Sequence, residues 1–317
     1  MDRAPLRRAA SAASAGAKKS LATLWLLAKI MVPTSLAMAI LGWSGAAKVI
    51  SVLLSPLMGL LGLPGEAALA FISGILLTNY SAIAVMNSLT LNLRHVAILA
   101  FMSLTAHNLA VESAVMKSAG SSALKMTLLR VGVALAGAFV LNLILPRSMG
   151  EIAFSAAMER TSIAFLPMLG AWALSTLRLI AKLTLFVVGI MVLQAELEEF
   201  KVLRALSSLL SPLMRVFGLP PRASFLWIVV NTVGYAYGAG IIRSEYESGK
   251  MKPQEGDLFN HHAAICHSLL EDTILYSALG IPVLWLVAPR LVFAAAVVWA
   301  ERARRHRMKK SFKVGTI

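Results

Sequence analysis

Apolar residues run along this chain in blocks of about 20, the length of helix that crosses a hydrocarbon layer, instead of alternating at the period of a strand. Eight blocks are predicted as spans: 21–40, 67–87, 95–116 and 125–145, then 177–197, 225–242, 258–279 and 281–300. After the first span of each half comes a stretch punctuated by Pro56 and Pro64, or by Pro212 and Pro220. Proline removes a helix hydrogen bond and clashes with the preceding turn, so bent, broken or re-entrant helices are expected there. Residues 147–175, carrying Glu159, Arg160 and Trp172 among apolar neighbours, are predicted as an amphipathic connecting helix at the membrane interface.

The two halves repeat. "TLWLLAK" from Thr23 returns as "TLRLIAK" from Thr176, and "LLSPLMGLLGLP" from Leu53 returns as "LLSPLMRVFGLP" from Leu209, with nine of twelve positions identical. "HNLAVESAVMKSAG" from His107 aligns with "HSLLEDTILYSALG" from His267; only three of fourteen positions agree, but Glu112 falls on Asp272. The order is conserved and the offset drifts only from 153 to 160, so one unit of about four helices occurs twice, at 21–146 and 176–300. A re-entrant Pro-containing stretch would make the crossings per unit odd and relate the units by an inverted pseudo-two-fold.

Composition places the chain in a membrane. It is 58% apolar with mean hydropathy +0.76, and 14% charged against about 25% in ordinary soluble domains. Such a chain must satisfy its backbone internally, and the long apolar runs select helices over a barrel: an all-α integral membrane protein. The net charge of +15 is concentrated at the ends, with five Lys/Arg in tail 1–20 and seven in tail 301–317. Basic tails beside spans mark the cytoplasmic face and meet anionic headgroups; an even number of spans puts both termini there. Nucleic acid is not expected as a partner, because no basic folded domain exists to carry it. An acid-poor N-terminus also fits an organelle transit peptide, whereas Lys29 inside the following apolar segment disfavours a cleaved secretory signal. One cysteine, Cys266, forms no internal disulfide.

Against this background the polar residues within the spans carry the chemistry. Thr78, Asn79 and Ser81 follow Gly74, and Asn231 and Thr232 precede "GYAYGAG". Polar side chains beside glycines suggest backbone leaving the helix to bind a ligand; glycine-mediated close helix packing is the alternative. In the other cluster, i, i+4 spacing stacks Asn108 on Glu112, Ser268 on Asp272 and His267 on Glu271. An ionised group at mid-membrane costs about 3 kcal/mol on insertion scales, so these residues are candidates for function. The competing reading is that Glu112, close to Lys117, simply reaches the headgroups. The substrate set is therefore Thr78, Asn79, Ser81, Asn108, Asn231, Thr232 and Ser268. His107, Glu112, His267, Glu271 and Asp272 are the ion- or proton-coupling set. His262, Cys266, His267 and Glu271 also invite a metal, but His262 and His267 are five residues apart and project from different faces, so no metal is assigned. No H-E-x-x-H, Gly-rich phosphate loop or G-x-S-x-G is present, so no enzyme activity and no cofactor are expected.

"GLPGEAALAFISGILLTNYSAI", "HSLLEDTILYSALG" and the duplication resemble the Gate, or nucleoside-recognition, membrane proteins, across roughly 21–300. Their domain recurs in concentrative nucleoside transporters and in the membrane part of the bacterial ferrous-iron transporter. The resemblance implies a permease built on paired gate motifs, in which the two units are gate repeats. "HNLAVES" in one copy against "HSLLEDT" in the other, and the lack of a GTP-binding segment, mean that architecture carries over but iron or nucleoside specificity does not. The expectation is a multi-pass secondary transporter of the cell inner membrane, moving a small polar solute with a coupling cation or proton. The alternatives are a non-transporting assembly or regulatory protein of the spore-maturation type, and an intramembrane metal enzyme. The oligomeric state, including a homo-oligomer, is left open.

Overall fold

The computed structural model describes residues 4–149, 164–247, 249 and 251–314, and among these the regular structure is helical throughout. The first half comprises α1 (Ala4–Trp43), α2 (Ala46–Leu60), α3 (Ala67–Leu76), α4 (Asn79–Met86), α5 (Leu93–Ala106), α6 (Leu109–Ser118) and α7 (Ala123–Ile144). The second comprises α8 (Phe165–Glu199), α9 (Val202–Val216), a 3-10 turn (Pro221–Ala223), α10 (Ser224–Thr232), α11 (Tyr235–Glu247), α12 (Pro253–Ala263), α13 (Leu269–Ser277) and α14 (Val283–Val314).

Five stretches among the described residues are long and apolar enough to cross a membrane: Leu6–Trp43, Leu93–Ser118, Ala123–Ile144, Phe165–Glu199 and Val283–Met308. This corrects the eight continuous spans expected. The blocks at 67–87, 225–242 and 258–279 each divide into two short helices, and 95–116 is interrupted between α5 and α6. The basic tails are not separate segments, because α1 begins at Ala4 and α14 runs on to Val314. Of the expected interfacial helix, residues 150–163 lie outside the described residues; Trp172 belongs to the 35-residue α8. The proline-containing α2 and α9 are continuous over 15 residues, about 22 Å, too short to cross a hydrocarbon core of about 30 Å.

The breaks are local events with identifiable causes. After α3, Leu77 leaves the helical region, and Thr78 starts α4 through a reciprocal cap with Ser81. Gly234, at φ +104°, separates α10 from α11 and supplies a backbone that a side chain would disfavour. Between α5 and α6, His107 is extended and Asn108 is left-handed (φ 45°). Ser268 holds the same left-handed conformation (φ 51°) before α13.

A buried break leaves backbone groups that need partners. The freed N–H of Asn108 donates to the Gly74 carbonyl (2.9 Å), and that of Ser268 to the Val230 carbonyl (3.0 Å). The four broken segments therefore cross in pairs, α5–α6 over α3–α4 and α12–α13 over α10–α11. Gly74 has no room for more: a Cβ there would lie 2.8 Å from Ser103 Oγ.

Outside the crossing, α1 and α8 make the most extensive helix contact, and they run antiparallel. Arg8 meets Glu199 at one end (2.8 Å), and Ser35 faces Thr176 towards the other (3.4 Å). Gly16 allows this approach, since a Cβ there would lie 2.5 Å from the Met191 carbonyl oxygen, which is rigid backbone. Gly16→Val is expected to cost about 1–3 kcal/mol through overpacking, read as a lower unfolding midpoint in detergent. Gly189→Ala, with nothing within 4 Å, serves as the neutral control.

Candidate functional site

Two fully buried arginines, one in α7 and one in α14, stand at the paired breaks, and both are 0% exposed. The Arg130 guanidinium donates to the Thr105 carbonyl (2.8 Å) and the His107 carbonyl (2.8 Å), capping the end of α5. Arg290 donates in the same way to the His267 carbonyl. Each arginine has an acid beside it. Arg130 Nη2 lies 2.7 Å from Glu112 Oε2, and Arg290 Nη2 lies 3.4 Å from Asp272 Oδ2. The Arg130–Glu112 contact is an ion pair without an aligned hydrogen bond. A guanidinium suits this position because its fork of donors can serve carbonyls and a carboxylate together.

Around the first pair the two halves meet. His107 Nε2 is 3.0 Å from Glu112 Oε1, and His267 Nε2, from the second half, lies 3.3 Å from Glu112 Oε2. The two imidazole rings lie 5.3 Å apart, centroid to centroid. Around the second pair, Asn79 Nδ2 donates to Asp272 Oδ1 (3.0 Å), while Ser103 Oγ donates to Asn79 Oδ1 (2.9 Å). The Tyr80 hydroxyl donates to Glu271 Oε1 (2.8 Å). One buried polar cluster thus joins α4, α5, α6, α7, α13 and α14.

The predicted coupling residues His107, Glu112, His267, Glu271 and Asp272 all belong to this cluster. Of the predicted substrate residues, only Asn79 donates into it directly. Asn108 and Ser268 form its left-handed corners. Thr78 and Ser81 cap α4, Ser81 Oγ accepting from Thr78 N (3.1 Å) and lying 3.0 Å from the Ser73 carbonyl that it can donate to. Asn231 donates to the Trp227 carbonyl, leaving its buried Oδ1 without a partner, and Thr232 donates to the Ile228 carbonyl. Asn108 stays one turn before Glu112 and Ser268 one turn before Asp272, each carbonyl accepting from that acid's backbone N–H (3.0 and 2.9 Å), but His267 does not stack on Glu271. The helices break at those residues, so His267 turns to Glu112 instead. Sequence reasoning missed Arg130 and Arg290, although their offset of 160 equals that of the two histidines.

The metal reading of His262, Cys266, His267 and Glu271 fails on placement. His262 packs on Phe217 (4.8 Å) and Trp227 (6.3 Å), while Glu271 is engaged by Tyr80. His107, Glu112 and His267 bring nitrogen and oxygen atoms within 4.8 Å of one another, but the singly charged guanidinium already at Glu112 disfavours a multiply charged metal ion beside it. Asp257, His261 and Glu301 are similarly close. There Lys125, Arg304 and Arg305 already hold Glu301, and Arg305 also holds Asp257, so this is an ion-pair network tying α12 to α14 and α7.

The fold and site together define an all-helical membrane protein with crossed, broken helices around buried ion pairs. A family model described as Gate, nucleoside recognition, matches residues 24–122. The chain is also similar to the Uncharacterized membrane protein YvoD of Bacillus subtilis (strain 168), 32% identical over 289 residues, covering 90% of this chain and 92% of that protein. No solved structure matches. The chain belongs to the Gate family of membrane proteins.

Breaking one partner of a buried pair leaves an uncompensated charge. Arg130→Met and Glu112→Leu are each expected to destabilise by about 3–5 kcal/mol, and the double variant by less than their sum. Unfolding in detergent measures all three, and additive losses would contradict the pairing.

Proposed function

We propose that the protein is a secondary transporter that carries a small polar solute through a site between two gate repeats, with a coupling cation or proton, and that it is not an enzyme. The observation that carries this reading is the meeting of His267 from one half with Glu112 of the other (3.3 Å). Ionisable groups at membrane depth are costly and mark pathways for ions or solutes. Discontinuous helices at matching places in two halves are a typical frame for a transporter's central site.

An inverted duplication is supported by the antiparallel packing of α1 on α8, which carry the matching Thr23 and Thr176 motifs. In this reading Asn79, Asn108, Asn231 and Ser268 offer amides and a hydroxyl to the solute, with Thr78, Ser81 and Thr232 shaping the breaks beside it.

Charge supports an orientation with both termini in the cytoplasm of a cell inner membrane. Arg8 near the start of α1 pairs with Glu199, α9 follows with Arg204 and Arg215, and Arg302 of α14 donates to the Gly218 carbonyl (2.7 Å) just after α9. Basic ends gathered on one face are what the positive-inside rule favours, and there they would meet anionic lipid.

Purified protein in vesicles should take up a labelled solute; uridine and adenosine are the first probes because the family model is described as nucleoside recognition. Asp272→Asn and Glu112→Gln should each lower uptake at least about tenfold, a loss of about 1.4 kcal/mol of barrier stabilisation. Asn79→Ser, which leaves both ion pairs in place, should also lower it. Unchanged uptake in all three removes the site. No flux for any solute of a nucleoside, amino-acid, organic-anion and divalent-metal panel would favour an assembly role.

A further inference from the structure

Within the buried cluster the two histidines have their tautomers fixed by backbone. His107 Nδ1 lies 3.0 Å from the Ser103 carbonyl oxygen, and His267 Nδ1 lies 2.7 Å from the Ala263 carbonyl oxygen. A carbonyl oxygen only accepts, so each Nδ1 carries a hydrogen and donates. In the neutral rings each Nε2 is then a bare lone pair, and both lone pairs face the same carboxylate. His267 is 1% exposed and its Nε2 has no hydrogen-bond donor or acceptor partner. Two neutral rings beside an ionised Glu112 would thus set lone pairs against carboxylate oxygens at 3.0 and 3.3 Å. A single added proton removes the conflict at the shorter contact by making it a charge-assisted hydrogen bond.

We propose that His107, Glu112 and His267 form a binding site for one exchangeable proton, and that this proton is the coupling ion; the coupling role rests on the transport reading above. Arg130 at 2.7 Å already supplies a counter-charge to the Glu112 carboxylate, so the proton is assigned to an imidazole Nε2. It resides on one ring at a time. Two imidazolium rings 5.3 Å apart, beside Arg130, would place three positive charges around one carboxylate. Sodium fits poorly because two of the three donors are imidazole nitrogens and hard cations take oxygen.

The other groups facing the site are occupied elsewhere. Tyr235 of α11, whose ring lies 6.0 Å from His267, donates to Asn260 Oδ1 (2.6 Å). Asp272 is held by Asn79 and Arg290, and Glu271 by Tyr80. His107 and Glu112 belong to one half and His267 to the other. Any separation of the halves therefore removes one of the two rings from the carboxylate, which ties proton affinity to conformation.

The test is nitrogen-15 NMR of the histidine rings of the intact protein in lipid nanodiscs, from about pH 5 to 9, the range in which histidines titrate. Expected is one imidazolium per protein shared by His107 and His267, lost at high pH and absent in Glu112→Gln. Glu112→Asp, which keeps the counter-charge for Arg130, should retain it if the other variant fails to fold. Two rings neutral at every pH, or two imidazolium rings together, would overturn the proposal. So would ring shifts that change on chelation with EDTA, which reveal a bound metal. Vesicles holding a pH-sensitive dye separate the two readings. A titrating ring pair without solute-driven proton flux keeps the proton site and removes transport. Solute uptake without proton movement removes the coupling role alone.

Discussion

The structure depends on two arginine side chains that complete the backbone where it leaves the helix in the middle of a membrane protein. A break between α5 and α6, or between α12 and α13, exposes carbonyls that lipid cannot satisfy, each at a cost of several kcal/mol. Arg130 and Arg290 supply the donors, on the carbonyls of His107 and His267. A buried guanidinium needs a counter-charge in turn, which Glu112 and Asp272 provide. Every other feature of the cluster follows from that requirement. The acids sit where they do because the arginines do, and the histidines sit beside them because each immediately precedes the left-handed residue of its break, Asn108 or Ser268.

The same requirement explains why the two centres differ in chemistry. Asp272 is pinned by Asn79 as well as Arg290, and Asn79 is itself held by Ser103. Glu112 instead has two imidazole edges. One acid is thus locked in a hydrogen-bonded frame, while the other meets rings from both halves of the chain.

The helical membrane class was legible in the apolar blocks, and Glu112, Asp272 and the histidines stood out because charges are rare in such blocks. The breaks were less legible. Those at Thr78 and Gly234 carry cap or glycine signals, but those at His107 and His267 turn on Asn108, a residue type that visits the left-handed backbone, and Ser268, one that rarely does. Reading these segments as continuous helices placed His267 over Glu271, when the turn directs it to Glu112. Arg130 and Arg290 passed unnoticed because each stands in an apolar run with no acid within one helical turn of it in sequence. Only their tertiary partners, 18 to 25 residues away in sequence, reveal the cap.

Glu112 meets two histidines contributed by different halves of the chain. Rotational-echo NMR between nitrogen-15 imidazole Nε2 atoms and a carbon-13 carboxyl of Glu112, in lipid, measures this directly. Strong coupling is expected from both His107 and His267, whose Nε2 atoms lie 3.0 and 3.3 Å from the Glu112 oxygens. Coupling from His107 alone, with none from His267, would contradict it.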